Sequence, residues 1–201
     1  MISLEGLKEH AKLKGYNLGQ AEKDYFQEII LFILYREFGQ ELLFKGGTAL
    51  TKCYGFNRFS EDLDFNIHTK KDVKRLIERG LDTFLIEHEV EEKEYEKSRN
   101  VIVRIEGPLY NGSKRSTCRI ALDLNARERH ERKAEVKELG LHINEIPTYT
   151  VAAMSLEEIL AEKIRALVTR DKARDGYDTY YLLKRGIQVD EELVTRKLHL
   201  Y

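Results

Sequence analysis

The sequence has few cysteines and no apolar run long enough to cross a membrane. Its two cysteines, Cys53 and Cys118, stand alone, without the paired spacing of a zinc site or a disulfide framework. The longest apolar run, at residues 29–34, is far shorter than the roughly 20 residues of a membrane-spanning helix. The first residues also lack the basic segment and apolar core of a signal peptide. We therefore expect a soluble, cytoplasmic protein with reduced thiols and no membrane partner.

An excess of charge of one sign is also missing. The chain carries 34 Lys and Arg against 35 Asp and Glu, for a net charge of −1. The whole molecule therefore lacks the signature of a polyanion-binding protein, and any nucleic-acid contact must come from a local patch. Basic residues do cluster at residues 163–174, and acidic residues at 89–96. A solvated face is the alternative interpretation of each cluster, and the simpler one for the acidic stretch.

A double glycine lies a short helix ahead of two aspartates at spacing i, i+2. In a strand, Asp62 and Asp64 point to the same face, where two carboxylates repel each other unless a cation lies between them. A hard divalent ion is the natural partner of such oxygens. Gly46 and Gly47 allow close approach of the backbone to a ligand, and the amides near Thr48 suit an anion. The segment predicts a metal site beside a phosphate site, as phosphoryl or nucleotidyl transfer requires. A simple turn followed by a solvated strand end is the alternative.

Apolar spacing predicts an α+β chain with a mixed sheet. Helical spacing is found at residues 21–38, 48–54 and 70–87, and short buried strands are expected at 41–45 and 62–67. Alternation with a period of two then marks strands at 101–105 and 118–124, and Asn111-Gly112 is a hairpin signal between them.

Asp123 is a carboxylate on the polar face of the second of these strands. If this strand lies beside the one that bears Asp62 and Asp64, Asp123 supplies a third oxygen ligand from the same side of the sheet. The alternative is a solvent-facing aspartate, because one sequence does not determine the register.

The C-terminal part is expected to be helical. Ser155 to Glu158 reads as a capping box that opens a helix, and Lys163 falls within the apolar stripe of that helix. Lys163 could extend to solvent, reach a triphosphate or pair with carboxylates. A second helix follows over residues 170–186, with Asp175 and Asp178 on one face. A capping duty is the alternative for Asp175. We divide the chain into an α/β part at 1–150 and a helical part at 151–201, which completes the active site.

Four blocks in order carry a family resemblance: FKGGTAL at 44–50, RFSEDLDF at 58–65, EEILAEKIRAL at 157–167 and ARDGYD at 173–178. Together they resemble the AbiEii/AbiGii-type nucleotidyltransferase toxins, which are relatives of the polymerase-beta-like nucleotidyltransferases. The resemblance implies a nucleotidyltransferase core with a mixed sheet flanked by helices. It also implies an NTP donor, Mg²⁺ or alternatively Mn²⁺, an RNA acceptor such as tRNA, and a cognate antitoxin.

The resemblance also implies roles for individual residues. Gly46, Gly47 and Thr48 match the family's phosphate-contacting turn, and Asp62 and Asp64 match its metal-binding pair. Asp123 stands where the superfamily has a third carboxylate. Lys163 and Asp175 match the family's active-site lysine and aspartate. The sequence departs from the wider superfamily in having Gly-Gly-Thr where Gly-Ser is usual. It is also short after residue 186, in the region expected to grip an acceptor.

The first hypothesis is a magnesium-dependent enzyme that moves an NMP from an NTP to an acceptor hydroxyl, on RNA. In it Lys163 cradles the triphosphate, and Asp175 acts as a base or positions the acceptor hydroxyl. Arg58 and Arg174 are further candidates for phosphate contacts. Two alternatives remain open at this point: a non-catalytic nucleotide- or RNA-binding module of the same fold, and an interaction protein that docks a basic partner through residues 89–96.

Overall fold

A mixed sheet forms the centre of the molecule in the computed structural model, which describes residues 1–67, 69–126, 131–140 and 146–199. The seven strands follow the spatial order β3-β4-β5-β2-β1-β7-β6. They are β1 Leu43–Lys45, β2 Leu63–Asn66, β3 His88–Tyr95, β4 Ser98–Ile105, β5 Cys118–Asn125, β6 Glu135–Leu139 and β7 Tyr149–Ala153. Pairs β1/β7 and β2/β5 are parallel, and the remaining pairs are antiparallel.

Helices cover both faces of this sheet. They are α1 Leu4–Lys14, α2 Leu18–Phe38, α3 Gly46–Tyr54, α4 Val73–Thr83, α5 Leu156–Thr169, α6 Ala173–Lys184 and α7 Glu191–His199. The mixed sheet flanked by helices confirms the predicted fold class. Strand β7 crosses the boundary that we predicted at residue 150. None of the helices in the described part of the chain is both long and apolar enough to span a bilayer.

The larger core lies between the sheet and α1, α2 and α4. Helix α2 is buried nearly all round, from Ala21 to Phe38, because it runs through the centre of this core. Phe44 of β1 and Phe65 of β2 stack there, with ring centroids 5.3 Å apart. Since side chains alternate along a strand, burial of these two rings turns their neighbours Lys45 and Asp64 to the opposite face.

A smaller core lies on that opposite face, beneath α3, α5 and α6. It consists of Leu43, Leu50, Phe56, Ala152, Met154, Ile159, Leu160 and Leu182. Helix α5 lies over the sheet here because its apolar stripe packs into this cluster. The polar side chains of β1, β2 and β5 on the same face are therefore next to α5.

The predicted elements were found, with shifted ends. Helix α2 begins at Leu18, three residues early, because Asn17 and Gln20 form a capping box. Helix α3 begins at Gly46 and so includes both glycines, whereas we had placed them in a turn before it. Helix α4 is shorter than predicted, since Asp72 caps its start and it ends at Thr83.

The hairpin signal at Asn111-Gly112 was only partly right. Strands β4 and β5 do pair in antiparallel fashion, but twelve residues, 106–117, connect them instead of a two-residue turn. A short 3₁₀ turn at Lys114–Ser116 lies within this connection. Gly112 has φ +89°, so it does supply a left-handed bend, but inside a longer loop.

The start of α5 shows half of the predicted capping box. The Ser155 hydroxyl accepts a hydrogen bond from the Glu158 amide at 3.3 Å. The Glu158 carboxylate does not return the bond, because it accepts from the amides of Glu131 and Arg132 and pairs with Lys197 at 2.8 Å.

Candidate active site

The two strands that bear the predicted metal ligands lie side by side. Asp64 on β2 is level with Asp123 on the parallel strand β5 and with Lys45 on β1. Asp62 precedes β2 by one residue and is half-buried, whereas Asp123 is exposed. The sheet therefore brings Asp64, Asp123 and Lys45 to one face, and Asp62, just before the strand, lies close enough to raise the pKa of Asp64.

Gly46 lies directly against the Asp64 carboxylate. Its φ of +76° is in the left-handed region that glycine favours. A Cβ atom at this position would lie 2.9 Å from Asp64 Cγ and would overlap one carboxylate oxygen. Position 46 thus requires glycine for two reasons: the backbone is left-handed there, and the Asp64 carboxylate leaves no room for a side chain.

Thr48 is buried, and its hydroxyl donates a short hydrogen bond to the Asp62 carbonyl oxygen. Its side chain therefore ties α3 to the residue before β2 and does not face a ligand. No side chain within the described residues caps the start of α3. The amides of the first turn, at Gly46, Gly47 and Thr48, are the part of this segment suited to an anion.

Burial is the main cause that raises the pKa of Asp64 to about 6. The nearby carboxylates of Asp123 and Asp62 contribute to this rise, while Lys45 and Lys163 oppose it. Asp64 therefore lies close to two other carboxylates, in a site that disfavours its negative charge. A divalent cation would stabilise the charged form of such a carboxylate.

The donor set fits a hard divalent cation. Asp62, Asp64 and Asp123 offer only carboxylate oxygens, the ligands that Mg²⁺ and Mn²⁺ prefer. In the described part of the chain, however, no three His, Cys, Asp or Glu side chains come together as a finished metal cage. The site matches an ion that keeps waters and binds partly through substrate phosphates.

Lys163 on α5 is buried in a network of charges. Its Nζ lies 3.0 Å from Asp175 Oδ1 and 2.8 Å from Asp178 Oδ2, so it does not extend to solvent. Arg170 also donates to both oxygens of Asp175. Burial alone would raise the pKa of Asp175, but the hydrogen bonds from Arg170 and Lys163 outweigh it and hold that pKa below its ordinary value.

Asp175 is therefore not a helix cap. Helix α6 begins two residues earlier, at Ala173, and the Asp175 side chain is fully buried against the two cations. Its oxygens face Lys163 and Arg170. Of the three alternatives that the sequence left open for Lys163, this contact fits pairing with carboxylates.

Arg58 takes part in the same network from the loop before β2. Its guanidinium makes two hydrogen bonds to Asp178, at 2.9 and 3.0 Å. Gly47 makes room for it, because a Cβ there would lie 2.7 Å from Arg58 Nη2. Arg174, the other arginine proposed from the sequence, is exposed.

The sequence did not identify Lys45 and Glu162. Lys45 is buried and pairs with Glu162 of α5 at 3.1 Å, and Glu162 lies 3.5 Å from the buried Lys197 of α7. The available signal was Lys45 at the end of a buried strand, where alternation places it on the face of Asp64. Its pairing with Glu162, 117 residues away, had no local signal.

A cavity of about 330 Å³ joins these groups. Asp64, Asp123, Gly46, Lys45 and Lys163 line it. The other polar residues that line it are Asn125 of β5, Glu162, Arg165 and Thr169 of α5, and Arg170, which follows α5. A larger cleft of about 730 Å³ lies between α2 and α4, away from the carboxylates. The smaller cavity is the candidate active site, because it holds two adjacent carboxylates, Asp64 and Asp123, beside the glycine at the start of α3.

One family model matches most of the chain. The family described as "Nucleotidyl transferase AbiEii toxin, Type IV TA system" matches residues 31–200, which include every predicted site residue. The chain belongs to the AbiEii nucleotidyltransferase toxin family. This confirms the resemblance drawn from the four sequence blocks. No curated protein matches the chain.

Two solved structures share the fold of this AbiEii protein. JHP933 from Helicobacter pylori superposes with a TM-score of 0.62 at 24% identity, over 82% of this chain and 66% of its own. A second H. pylori protein, provisionally assigned as a nucleotidyltransferase, gives 0.62 and 24% over 81% of this chain and 68% of its own. The AbiEii protein thus spans about two thirds of their length, and this similarity shows the fold alone.

Proposed function

We propose that this AbiEii protein transfers an NMP from an NTP to a hydroxyl of an RNA acceptor such as tRNA, in the cytoplasm, with release of pyrophosphate. One observation carries the proposal. Asp64, which lies against the glycine at the start of α3, is level with Asp123 on the neighbouring strand, in a cavity that also holds Lys163. Carboxylates beside an anion-binding helix start are the groups that nucleotidyl transfer requires.

In this proposal the triphosphate binds at the start of α3. The amides of Gly46, Gly47 and Thr48 donate to phosphate oxygens, and Lys163 adds positive charge from the opposite wall of the cavity. Asp62, Asp64 and Asp123 would hold Mg²⁺ or Mn²⁺. When bound, the ion would offset the charge on the phosphates and align the attacking hydroxyl.

The geometry supports a positioning role for Asp175. Both of its oxygens are occupied by Lys163 and Arg170, which suits a group that orients a lysine more than one that accepts a proton from an acceptor hydroxyl. Asp178 supports Lys163 from the other side. The two aspartates thereby hold the ammonium group of Lys163, a residue that lines the cavity.

The toxin role follows from the same reaction. Addition of a nucleotide to a tRNA would disable that RNA, and a cognate antitoxin would counter the effect. Lys172 and Arg174 are exposed at the start of α6, next to the residues that support Lys163, and offer a basic surface for the acceptor. Binding of RNA there should weaken as salt is added, because phosphate contacts release counterions.

The test is to incubate the purified protein with total RNA, Mg²⁺ and each α-³²P-labelled NTP in turn. The labelled RNA shows activity, donor and acceptor class together. Asp64→Asn should abolish labelling, since it removes the central carboxylate with little change of shape. Asp82→Asn, on the exposed side of α4, is the matched control and should label as the wild type does.

Two results would contradict the proposal. Unchanged labelling by the Asp64→Asn variant would exclude the carboxylate mechanism. Binding of NTP and RNA without pyrophosphate release, under conditions where Mg²⁺ is present, would instead support the non-catalytic module of the same fold.

A further inference from the structure

Asn66 is a buried amide that lacks a hydrogen-bond partner. It is 4% exposed, and neither Oδ1 nor Nδ2 finds a partner among the described residues. A buried amide without partners destabilises a fold, and an apolar side chain of similar size would serve a core better. The residue therefore calls for a functional explanation.

The position of Asn66 connects it to the candidate active site. It follows Asp64 by two residues on β2 and so faces the same side of the sheet. Its neighbour on β5, at the same level, is Asn125, which lines the cavity together with Asp64 and Asp123. Asn125 thus lines the cavity next to the carboxylates, and the buried amide of Asn66 lies directly beside it on the neighbouring strand.

The chemistry of an amide restricts the ligand. Phosphate oxygens would satisfy only Nδ2, and a metal ion only Oδ1. An adjacent donor and acceptor would satisfy both atoms at once, and each nucleobase presents such an edge. Asparagine reads bases in this bidentate way in nucleic-acid recognition.

We infer that Asn66 and Asn125 form the base-reading wall of the NTP site and set which nucleotide is used as donor. The inference rests on the proposed function, because it needs an NTP in the cavity. It places the base beyond Asp64 along β2 and β5, on the side away from the start of α3. The phosphates and the base then lie on opposite sides of the carboxylates.

The test measures the dissociation constants of all four NTPs by calorimetry in Mg²⁺, for the wild type and for Asn66→Leu. The leucine keeps the size of the side chain and removes both polar atoms. We expect the wild type to prefer one NTP by about tenfold or more, and Asn66→Leu to reduce that preference to about threefold or less. Asn100→Leu is the control, because Asn100 lies on the same face one strand further away, beyond Asp123.

Each outcome has a separate meaning. If the wild type binds no NTP, the proposed function fails and this inference fails with it. If the wild type binds and Asn66→Leu keeps the same preference, only the base-reading wall is wrong. Asn66→Leu could instead weaken the binding of all four NTPs equally and leave the binding of the four dNTPs unchanged. That result would mean that the amides contact the ribose 2′-hydroxyl, and it would also overturn the inference.

A second variant covers a failure of Asn66→Leu to fold. Asn125→Ala changes a half-buried position at the edge of the cavity, and it should weaken the same NTP preference. An unchanged preference in Asn125→Ala would contradict the inference. The side-chain amide resonances of Asn66, followed by NMR, should shift on addition of the preferred NTP and stay in place with pyrophosphate.

Discussion

At the scale of the residue, Gly46 and Asp64 depend on each other. The left-handed backbone of Gly46 and the carboxylate next to it occupy space that a methyl group would need. We expect Gly46→Ala to displace Asp64 and to lower NMP transfer about 100-fold, since small misplacements of reacting groups are costly. The same change should cost about 1–2 kcal/mol of stability, because an L-residue is strained at this φ. Steady-state labelling and urea unfolding measure the two effects.

Gly112→Ala is the matched control for this change. Gly112 has φ +89°, but a Cβ there would meet no atom within 4 Å. It should show a similar loss of stability and full activity. Equal activity losses in the two variants would mean that backbone strain, and not the closeness of Asp64, explains the effect.

Asp64 should also make the stability of the metal-free protein depend on pH. Its pKa is about 6 in the folded protein and near 3.9 when unfolded, so the native state holds the proton more tightly. Stability due to this group is therefore lost as the pH rises. We expect the free energy of unfolding to fall by about 1 kcal/mol between about pH 5 and pH 7 from Asp64 alone.

Urea unfolding in EDTA at the two pH values, for the wild type and for Asp64→Asn, measures this contribution. In the Asp64→Asn variant, the free energy of unfolding should not show this fall with pH. The contributions of other groups cancel when the two proteins are compared. If both proteins change equally with pH, Asp64 does not have a raised pKa. Asp82→Asn should behave as the wild type does, because its side chain is exposed.

At the scale of secondary-structure elements, Asp178 connects α6 to two other parts of the fold through ion pairs. It is fully buried and pairs with Lys163 of α5 and with Arg58 of the loop before β2. Asp178→Ala should destabilise the protein by about 3–5 kcal/mol, because two cations lose their buried partner. The midpoint of urea unfolding measures the change.

Asp171→Ala is the comparison for this variant. Asp171 is exposed at the end of α5, and its loss should change stability by no more than about 0.5 kcal/mol. A loss of similar size in the two variants would show that the buried pairs contribute little to the attachment of α6.

The sequence predicted those elements whose signals are local. The spacing within α2 and the alternation in β5 were enough to place Asp123 on the correct face of its strand. Strand β6 was missed because its polar residues Glu135 and Lys137 are half-buried while the apolar Val136 between them is exposed, so its polarity does not mark the buried face. Strand β7 was missed because its last three residues are all buried and show no alternation. Helix α3 was placed two residues late, because glycines are usual in turns, and their place in the first turn of this helix goes with close contacts to Asp64 and Arg58 that are distant in sequence.

At the scale of the whole molecule, charged pairs connect helix α7 to the candidate active site. Lys197 of α7 is fully buried against Glu158 and lies near Glu162, which in turn pairs with Lys45 beside Asp64. Lys197→Met should lower stability by about 3 kcal/mol, since it leaves the buried Glu158 carboxylate without its cation and Glu162 with Lys45 alone. Urea unfolding measures this.

Lys184→Met is the control for Lys197→Met, because Lys184 is exposed at the end of α6. It should leave stability unchanged. An equally stable Lys197→Met protein would indicate that the hydrogen bonds from the amides of Glu131 and Arg132 are enough for Glu158.

Long-range pairs are the part of the site that the sequence could not predict. Asp62, Asp64 and the double glycine were recognisable because they lie within twenty residues of one another. Arg58 and Asp178 meet across 120 residues, and one sequence contains no signal for that distance. The partners of Lys163 were therefore left open until the packing of α5 on α6 was known.

Transfer of labelled phosphate to RNA tests the central claim most directly. The protein is incubated with RNA and Mg²⁺, with an NTP labelled either at the α- or at the γ-phosphate. We expect the α-label to enter RNA, the γ-label to leave as pyrophosphate, and Asp64→Asn to prevent both. Entry of the γ-label into RNA, or transfer of the α-label by Asp64→Asn at the wild-type rate, would contradict the account.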